Sequence, residues 1–357
     1  MENLFEIEDG VLKKYYGNET NVVIPDIVTE IGENVFWDCA NIENVVIPNG
    51  VTVIGEYAFW GCTGLTSIEI PSSVTAINGH AFYFCKGLIN IEIPSSVTTI
   101  SEGVFGYCQN LENVKIPNSV TTICKGAFIQ CTNLEKIEIP DSVAVIGRRA
   151  FAYCDSLAEI IVDKDNMYYQ SDNGVLYTKD KKTIVCYPAG KSEKHFSVLN
   201  GVTIIGEDAF YNCKNLENIE IPNGVNSIGK CAFMNCIGLT SVEIPNGVTT
   251  IGESAFWECT KLTRIKIPSS VTTIGESAFC NCTSLSSIEI QNGVTTIGES
   301  AFCDCKNLTS IEIPNSVTTI SQYAFSHCEN LKTIKIPRLF KYREDLGFDC
   351  CAEVVYY

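Results

Sequence analysis

The chain has 357 residues, of which 45% are hydrophobic and 19% charged, a composition typical of a folded globular protein. Its 42 acidic and 25 basic side chains give a net charge of −17. This charge disfavours DNA, RNA and anionic membrane surfaces as partners, because their phosphates carry the same sign. No apolar run approaches the roughly 20 residues that span a bilayer, so membrane insertion is not expected.

Residues 1–24 precede the regular part of the chain. Apolar and polar residues alternate from Phe5 to Leu12 around Asp9-Gly10, a dipeptide typical of a two-residue hairpin turn. We expect this hairpin to cover the apolar end of the repeats that follow, as an N-terminal cap. The first residues lack a basic segment followed by an apolar stretch, so no secretory signal is expected here.

A 23-residue repeat then organises the chain. It occurs six times over residues 25–162 and six times over 199–336, and a degenerate thirteenth copy covers 337–357. Position 12 is Phe and position 15 is Cys in every copy. The copies start at Pro25, Pro48, Pro71, Pro94, Pro117, Pro140, Leu199, Pro222, Pro245, Pro268, Gln291, Pro314 and Pro337. Such self-similarity predicts a solenoid in which each coil contacts only its neighbours.

Apolar residues recur at positions 4, 7, 11, 12, 15, 18, 21 and 23 of the repeat. The β-branched segment at positions 4–7 predicts a first strand, and the alternation that ends at position 23 predicts a second strand on the opposite, concave side. The Ala-Phe-x-x-Cys spacing predicts a single helical or 3₁₀ turn with three inward side chains. Stacked coils should lie about 4.8 Å apart.

The repeat resembles that of the BspA-like leucine-rich-repeat family, whose pattern is Leu-x-x-Ile-x-Ile-Pro, Val-Thr-x-Ile-Gly and Ala-Phe-x-x-Cys. Residues 245–267 show the match most clearly, and it covers nearly the whole chain. The resemblance implies a right-handed, β-rich leucine-rich-repeat superhelix. It also implies a surface or secreted location, and an adhesion role of the kind by which some family members bind host matrix proteins.

Residues 163–198 interrupt the repeats. Tyr169–Tyr177 is similar to the N-terminal hairpin segment, with Asn173-Gly174 in place of Asp9-Gly10. We interpret this stretch as a degenerate repeat that carries a hairpin within one continuous solenoid domain. After Pro337 the pattern decays into a charged, irregular segment, which is typical of a C-terminal cap.

Neither the cysteines nor the histidines predict chemistry. The thirteen repeated cysteines are expected to be buried thiols that bond to backbone groups of the next coil. Cys280 and Cys303 share position 13 of adjacent repeats, so a disulfide between them is more plausible than a four-thiolate metal site. The three histidines lie in different regions, without a nucleophile motif. We expect no metal, no cofactor and no enzymatic activity.

Position 22 points to the solvent side of the second strand. Its charged residues are Glu69, Glu92, Lys115, Glu138, Glu220, Glu243, Lys266, Glu289, Glu312 and Lys335. One interpretation is a solvated face whose lysines relieve repulsion between stacked glutamates. The other is a shallow, net-acidic groove for a basic or mixed-charge protein segment.

Aromatic residues recur at position 13, directly after the buried Phe. Trp37, Trp60 and Tyr83 occupy it in three successive repeats, and Tyr211 and Trp257 occupy it later. One interpretation is that the first three form an exposed stripe beside the concave strand, because contiguous exposed rings mark protein or glycan contacts. The interpretation that we favour at this stage is partial burial against neighbouring loops.

These features predict a non-enzymatic binding scaffold that recognises a protein. Two alternatives stay open at this stage. One is an intracellular structural or interaction protein, which the abundant thiols and the missing signal favour. The other is a glycan-binding surface module.

Overall fold

A computed structural model describes residues 4–341 and 353–357. The chain forms a β-solenoid of about 15 turns with almost no helix, which confirms the predicted fold class. It divides into two compact units, Met1–Lys179 with Pro188–Gly190, and Asp180–Tyr187 with Lys191–Tyr357. The division falls inside residues 163–198. Within the described residues, no helix has the length and apolar character needed to cross a membrane.

The first unit opens with a hairpin. Strands β1 (Phe5–Glu8) and β2 (Val11–Tyr15) pair antiparallel, with Glu8 opposite Val11. Asp9 and Gly10 both have positive φ, 49° and 80°, as a two-residue turn between right-twisted strands requires. Strand β2 then pairs in parallel with the first strand of repeat 1.

Each repeat of the first unit contributes two short parallel strands. The first strands are Glu30–Ile31, Val53–Ile54, Ala76–Ile77, Thr99–Ile100, Thr122–Ile123 and Val145–Ile146. The second strands are Asn44–Val46, Asn90–Glu92, Asn113–Lys115, Lys136–Ile139 and Glu159–Val162, preceded by Asn21–Val23. In repeat 2 the second strand is reduced to one bridge, from Ser67 to Asn90.

A second hairpin closes the first unit. Tyr169–Asp172 and Val175–Thr178 pair antiparallel, with Asp172 opposite Val175. Asn173 and Gly174 have φ of 48° and 76°, nearly the values of the N-terminal turn. The Asn-Gly and Asp-Gly dipeptides therefore build the same turn twice.

The second unit repeats the two-strand pattern. Its first strands are Thr183–Cys186, Ile204–Ile205, Ser227–Ile228, Thr250–Ile251, Thr273–Ile274, Thr296–Ile297 and Thr319–Ile320, each paired in parallel with the next. Its second strands are His195–Ser197, Asn218–Glu220, Ser241–Val242, Arg264–Ile267, Ser287–Ile290, Ser310–Glu312, Thr333–Ile336 and Glu353–Tyr356. A 3₁₀ turn, Arg338–Phe340, follows repeat 12.

The corner between the two strands differs from the predicted helical or 3₁₀ turn. Positions 10 and 14 have positive φ in each of repeats 1–12, as at Tyr57 (55°) and Gly61 (73°). A helix needs uninterrupted right-handed φ, so this alternation ends it after one β-turn. The amide groups at positions 10, 12 and 14 donate instead to the next coil, for example Phe36 N to Ala58 O at 2.7 Å. Positions 9–15, here called the turn ladder, thus form a third line of bonds between coils.

The core is a column of position-12 rings. Stacked Phe centroids lie 4.9–5.9 Å apart from Phe36 to Phe151 in the first unit, and 4.8–5.5 Å apart from Phe210 to Phe325 in the second. Tyr187 extends the second column, 5.2 Å from Phe210. The predicted last members, Phe348 and Cys351, lie outside the described residues.

Candidate protein-binding surfaces

The second strands present one side chain outward at every other residue. Positions 21 and 23 are buried or half-buried, so positions 20 and 22 face solvent. Every predicted charged residue of position 22 is exposed. The column also contains exposed Val46 and half-buried Ile161. Positions 20 and 22 of the second strands are here called the strand face.

Each unit carries a groove on its strand face. The groove of the first unit has a volume of about 850 Å³, and Glu69, Glu92 and Lys115 line it beside Asn90 and Asn113. The groove of the second unit has a volume of about 1020 Å³. Its lining includes His195, Glu220, Glu243, Arg264, Lys266 and Glu289. Glu312 lines a smaller neighbouring groove with Tyr357, whereas Glu138 and Lys335 line none of the three.

Ion pairs cross the strand face between adjacent coils. Lys115 pairs with Glu92, Lys266 with Glu289 at 3.3 Å and Lys335 with Glu312 at 3.4 Å. Lys136 and Glu138 of one strand lie 3.9 Å apart. Such exposed pairs contribute about 0–1 kcal/mol each to stability. They leave the charges accessible to a partner.

The strand face has mixed charge. Position 20 supplies two further cations, Lys136 and Arg264, which lie outside the column predicted at position 22. In repeats 7–12 the face therefore has four glutamates against two lysines and one arginine, a net charge of −1. Repeats 1–6 have four glutamates against two lysines, a net charge of −2. Charges of both signs therefore occur along the strand face of each unit.

The predicted aromatic residues lie on the turn ladder, and none of them lines one of the three grooves described above. Trp37 and Trp60 stack with centroids 4.2 Å apart, and Trp37 is 45% exposed. Tyr83 joins them through Phe84, whose ring lies 5.4 Å from Trp60 and 5.0 Å from Tyr83. Tyr107 completes this end of the cluster, 4.4 Å from Phe84.

Two further rings come from position 10. Tyr57 lies 5.5 Å from Trp37, and His80 stacks on Tyr57 at 5.1 Å. The seven rings are here called the aromatic patch: Trp37, Tyr57, Trp60, His80, Tyr83, Phe84 and Tyr107. Four of these rings were not predicted from the sequence, since only position 13 was expected to carry exposed aromatics: Tyr57, His80, Phe84 and Tyr107.

Glycines in the next coil make room for two of these rings. A Cβ at Gly106 would lie 2.4 Å from Tyr83 Cε2, and one at Gly103 would lie 2.5 Å from His80 Cδ2. The rings therefore lie against backbone that carries no side chain. This contact fixes their orientation before any partner binds.

We expect Gly106→Ala to destabilise the first unit by about 1–3 kcal/mol, since Tyr83 must swing away from its packed position. Urea unfolding measures the effect. The matched control places the same change in a Tyr83→Ala background, where it should cost almost nothing. An equal cost in both backgrounds would contradict the contact.

The second unit has no comparable stripe among its described position-13 residues. Tyr211 is only 6% exposed, and Trp257 is partly buried next to Cys280. Repeats 8, 10 and 11 carry Met234, Cys280 and Cys303 at this position. For these later aromatics, the alternative of partial burial describes their environment.

The repeated cysteines bond to the preceding coil, so the prediction that they bond to the next coil was wrong. The thiol at position 15 donates to the carbonyl of the earlier Phe, with Sγ–O distances of 3.0–3.3 Å in ten repeats. Burial raises the pKa of Cys85 well above its usual range. Cys280 and Cys303 are free and interact with each other, and burial raises the pKa of Cys303 to about 12.

The chain is similar to known leucine-rich-repeat proteins. The family model described as the BspA type leucine rich repeat region (6 copies) matches residues 29–158, 186–309 and 295–356. A leucine rich cell surface protein from Faecalibacterium prausnitzii is 34% identical, covering 79% of this chain and 90% of its own, with a TM-score of 0.65. A leucine-rich repeat protein from Eubacterium ventriosum is 26% identical, covering 88% and 90%, with a TM-score of 0.61.

The pneumococcal vaccine antigen PcpA is 22% identical over 99% of this chain and 95% of its own, with a TM-score of 0.79. At this identity the likeness shows a shared fold alone. No curated protein matches the chain.

Proposed function

Since this chain belongs to the BspA-type leucine-rich-repeat family, we propose that it is a non-enzymatic scaffold that binds a protein through its strand face. The observation that carries the proposal is the groove of each unit, lined at regular spacing by exposed side chains of both signs. A fixed, repeated surface loses little conformational entropy on binding. Mixed charges add selectivity for a partner with the complementary pattern.

The proposed location is the cell surface, where the partner would be a host or matrix protein and the role adhesion. The similarity to the F. prausnitzii protein, which is a cell surface protein, supports this location. The free thiols favour the second candidate, a protein-interaction scaffold in a reducing compartment. Biotinylation of intact source cells with a reagent that does not cross membranes separates the two locations.

Charge reversal tests the strand face. We expect Glu69→Lys, Glu92→Lys and Glu138→Lys together to weaken partner binding at least about tenfold, because like charges across an interface cost several kcal/mol. The melting temperature should stay nearly constant, since these side chains are exposed. Biolayer interferometry against purified matrix proteins gives the affinity.

The matched control carries the same change in net charge on another surface. Glu253→Lys, Glu276→Lys and Glu299→Lys lie at position 9 of the turn ladder and leave the strand face intact. The second groove is tested by Glu220→Lys, Glu243→Lys and Glu289→Lys. If the control weakens binding as much as both strand-face triples do, net charge alone explains the effect and the strand face is not the site.

A further inference from the structure

The aromatic patch is not a product of the repeat. Positions 12 and 15 are uniform because the core requires them, whereas positions 10, 13 and 14 vary freely. Seven rings at these variable positions fall in four successive coils of the first unit. The matching positions of repeats 8–11 contain one ring, Trp257. The repeat itself therefore does not account for the concentration of rings in the first unit.

Carboxylates surround the patch. Glu33 and Glu56 occupy position 9 of repeats 1 and 2, Glu102 occupies position 9 of repeat 4, and Asp38 follows Trp37 directly; all four are exposed. Glu102 pairs with Lys125 at 2.9 Å. Within residues 4–341 and 353–357, neither Glu33 nor Glu56 has a lysine or arginine partner.

These carboxylates act on the rings electrostatically. Desolvation raises the pKa of Tyr57, and the charges of Glu56, Glu33 and Glu102 raise it further. Tyr57 in turn lies against both Trp37 and His80. Negative potential and aromatic faces therefore coincide at one place on the surface.

We propose that the aromatic patch binds arginine side chains of a partner protein. A guanidinium plane stacks on an exposed indole face while its N–H groups reach carboxylates at the rim. The patch already holds one cation in this manner, because Lys86 Nζ lies 5.7 Å from the centroid of the Phe84 ring. Trp37, the most exposed of the tryptophans, offers the free indole face.

Preorganisation supports this partner. The rings of Tyr83 and His80 pack against Gly106 and Gly103. Trp37 is fixed by stacking on Trp60. A partner therefore meets an ordered surface and loses little entropy in arranging it. This proposal adds a second binding surface to the proposed scaffold. It rests on the proposed function only in assuming that the chain binds a protein.

Tryptophan fluorescence tests the proposal directly. The protein has three tryptophans, so full-length protein with Trp257→Phe reports on Trp37 and Trp60 alone. The probes are three capped heptapeptides in which glycine alternates with arginine, lysine or citrulline, titrated at about 0.15 M salt. We expect the arginine peptide to bind about three- to tenfold more tightly than the lysine peptide, and the citrulline peptide to bind weakest.

Variants locate the binding. Trp37→Ala should weaken arginine-peptide binding about three- to tenfold, with Trp60 as the reporter. Glu33→Gln with Glu56→Gln should weaken it about two- to fivefold without removing a ring. Tyr323→Ala, which removes a 52% exposed ring from the second unit, is the matched control and should change nothing. Strand-face charge reversal should not abolish the preference for arginine, so the two surfaces are tested separately.

Two results would overturn the proposal. Equal binding of the arginine and lysine peptides, unchanged by Trp37→Ala, would mean that only the net charge of −17 attracts them. Quenching by a neutral oligosaccharide, with none by the arginine peptide, would assign the patch to a glycan instead.

Discussion

At pH 10 the protein is expected to be several kcal/mol less stable than at neutral pH. Burial raises the pKa of eight position-15 thiols above the ordinary value of 9.0: Cys62, Cys85, Cys108, Cys131, Cys213, Cys259, Cys282 and Cys305. In the unfolded chain these thiols ionise near pH 9, whereas in the fold they stay protonated. The pKa of these thiols is higher in the folded state than in the unfolded state. Their contribution to the free energy of unfolding is therefore complete below pH 9 and is lost as the pH rises.

The size of the effect follows from the same linkage. At pH 10 each thiol with an unfolded pKa of 9.0 disfavours folding by about 1.4 kcal/mol relative to neutral pH. Four such thiols lie in each compact unit, so each unit loses about 6 kcal/mol. Ordinary domains have a free energy of unfolding of about 5–15 kcal/mol. A small rise in pH should therefore unfold the chain cooperatively.

Circular dichroism under a phosphine reductant, scanned from pH 8 to about pH 11, measures the transition. The matched variant is Cys259→Ser with Cys282→Ser, since a serine hydroxyl donates to the same Phe carbonyls but does not ionise in this range. Removing two of the four titrating thiols should halve the pH dependence of stability in the second unit. If the pH dependence of stability is the same in the double variant, the thiols at position 15 do not control alkaline unfolding.

The coil and its strands could be predicted because the core is uniform. Position 12 must fill the same space in every coil, so Phe recurs there and fixes the spacing of the repeat. The alternation at positions 20–23 likewise fixes which side chains of the second strand face solvent. Glu69 and Glu220 are exposed for this reason alone.

The corner could not be predicted from helical spacing. Its conformation is set by backbone hydrogen bonds to the next coil, and the local sequence does not predict these bonds. A signal was nevertheless present, because residues that tolerate positive φ recur at positions 10 and 14, among them Asn34, Asp38, Gly61 and Asn235. In the structure these left-handed positions place Tyr57 beside Trp37 and Phe84 beside Trp60.

Position 22 alone does not give the full charge of the strand face. The predicted column covers position 22 only and leaves out Lys136 and Arg264 at position 20. Both positions point to the same side of the strand, so a partner meets them together. The charge that matters for binding is the sum over the two columns.

Truncation of one interior ring should have the largest effect of any single substitution in the core. Phe256 is fully buried and stacks between Phe233 at 5.0 Å and Phe279 at 5.1 Å. Phe256→Ala leaves a cavity between three coils that hydrogen bonds hold at fixed spacing, so the site cannot collapse. We expect a loss of about 3–5 kcal/mol in the free energy of unfolding of the second unit.

Urea unfolding gives the size of this loss, and hydrogen exchange of peptides within residues 222–290 gives its place. Phe256→Leu is the matched control, because leucine fills most of the cavity and should cost less than about 1.5 kcal/mol. In both variants the backbone carbonyl of residue 256 still accepts the hydrogen bond from the Cys282 thiol. The difference in stability between the variants therefore reports on ring packing and not on the hydrogen bonds of the repeated cysteines. If alanine costs no more than leucine, the stability of the coil resides in its ladders of hydrogen bonds and the column of rings only fills space.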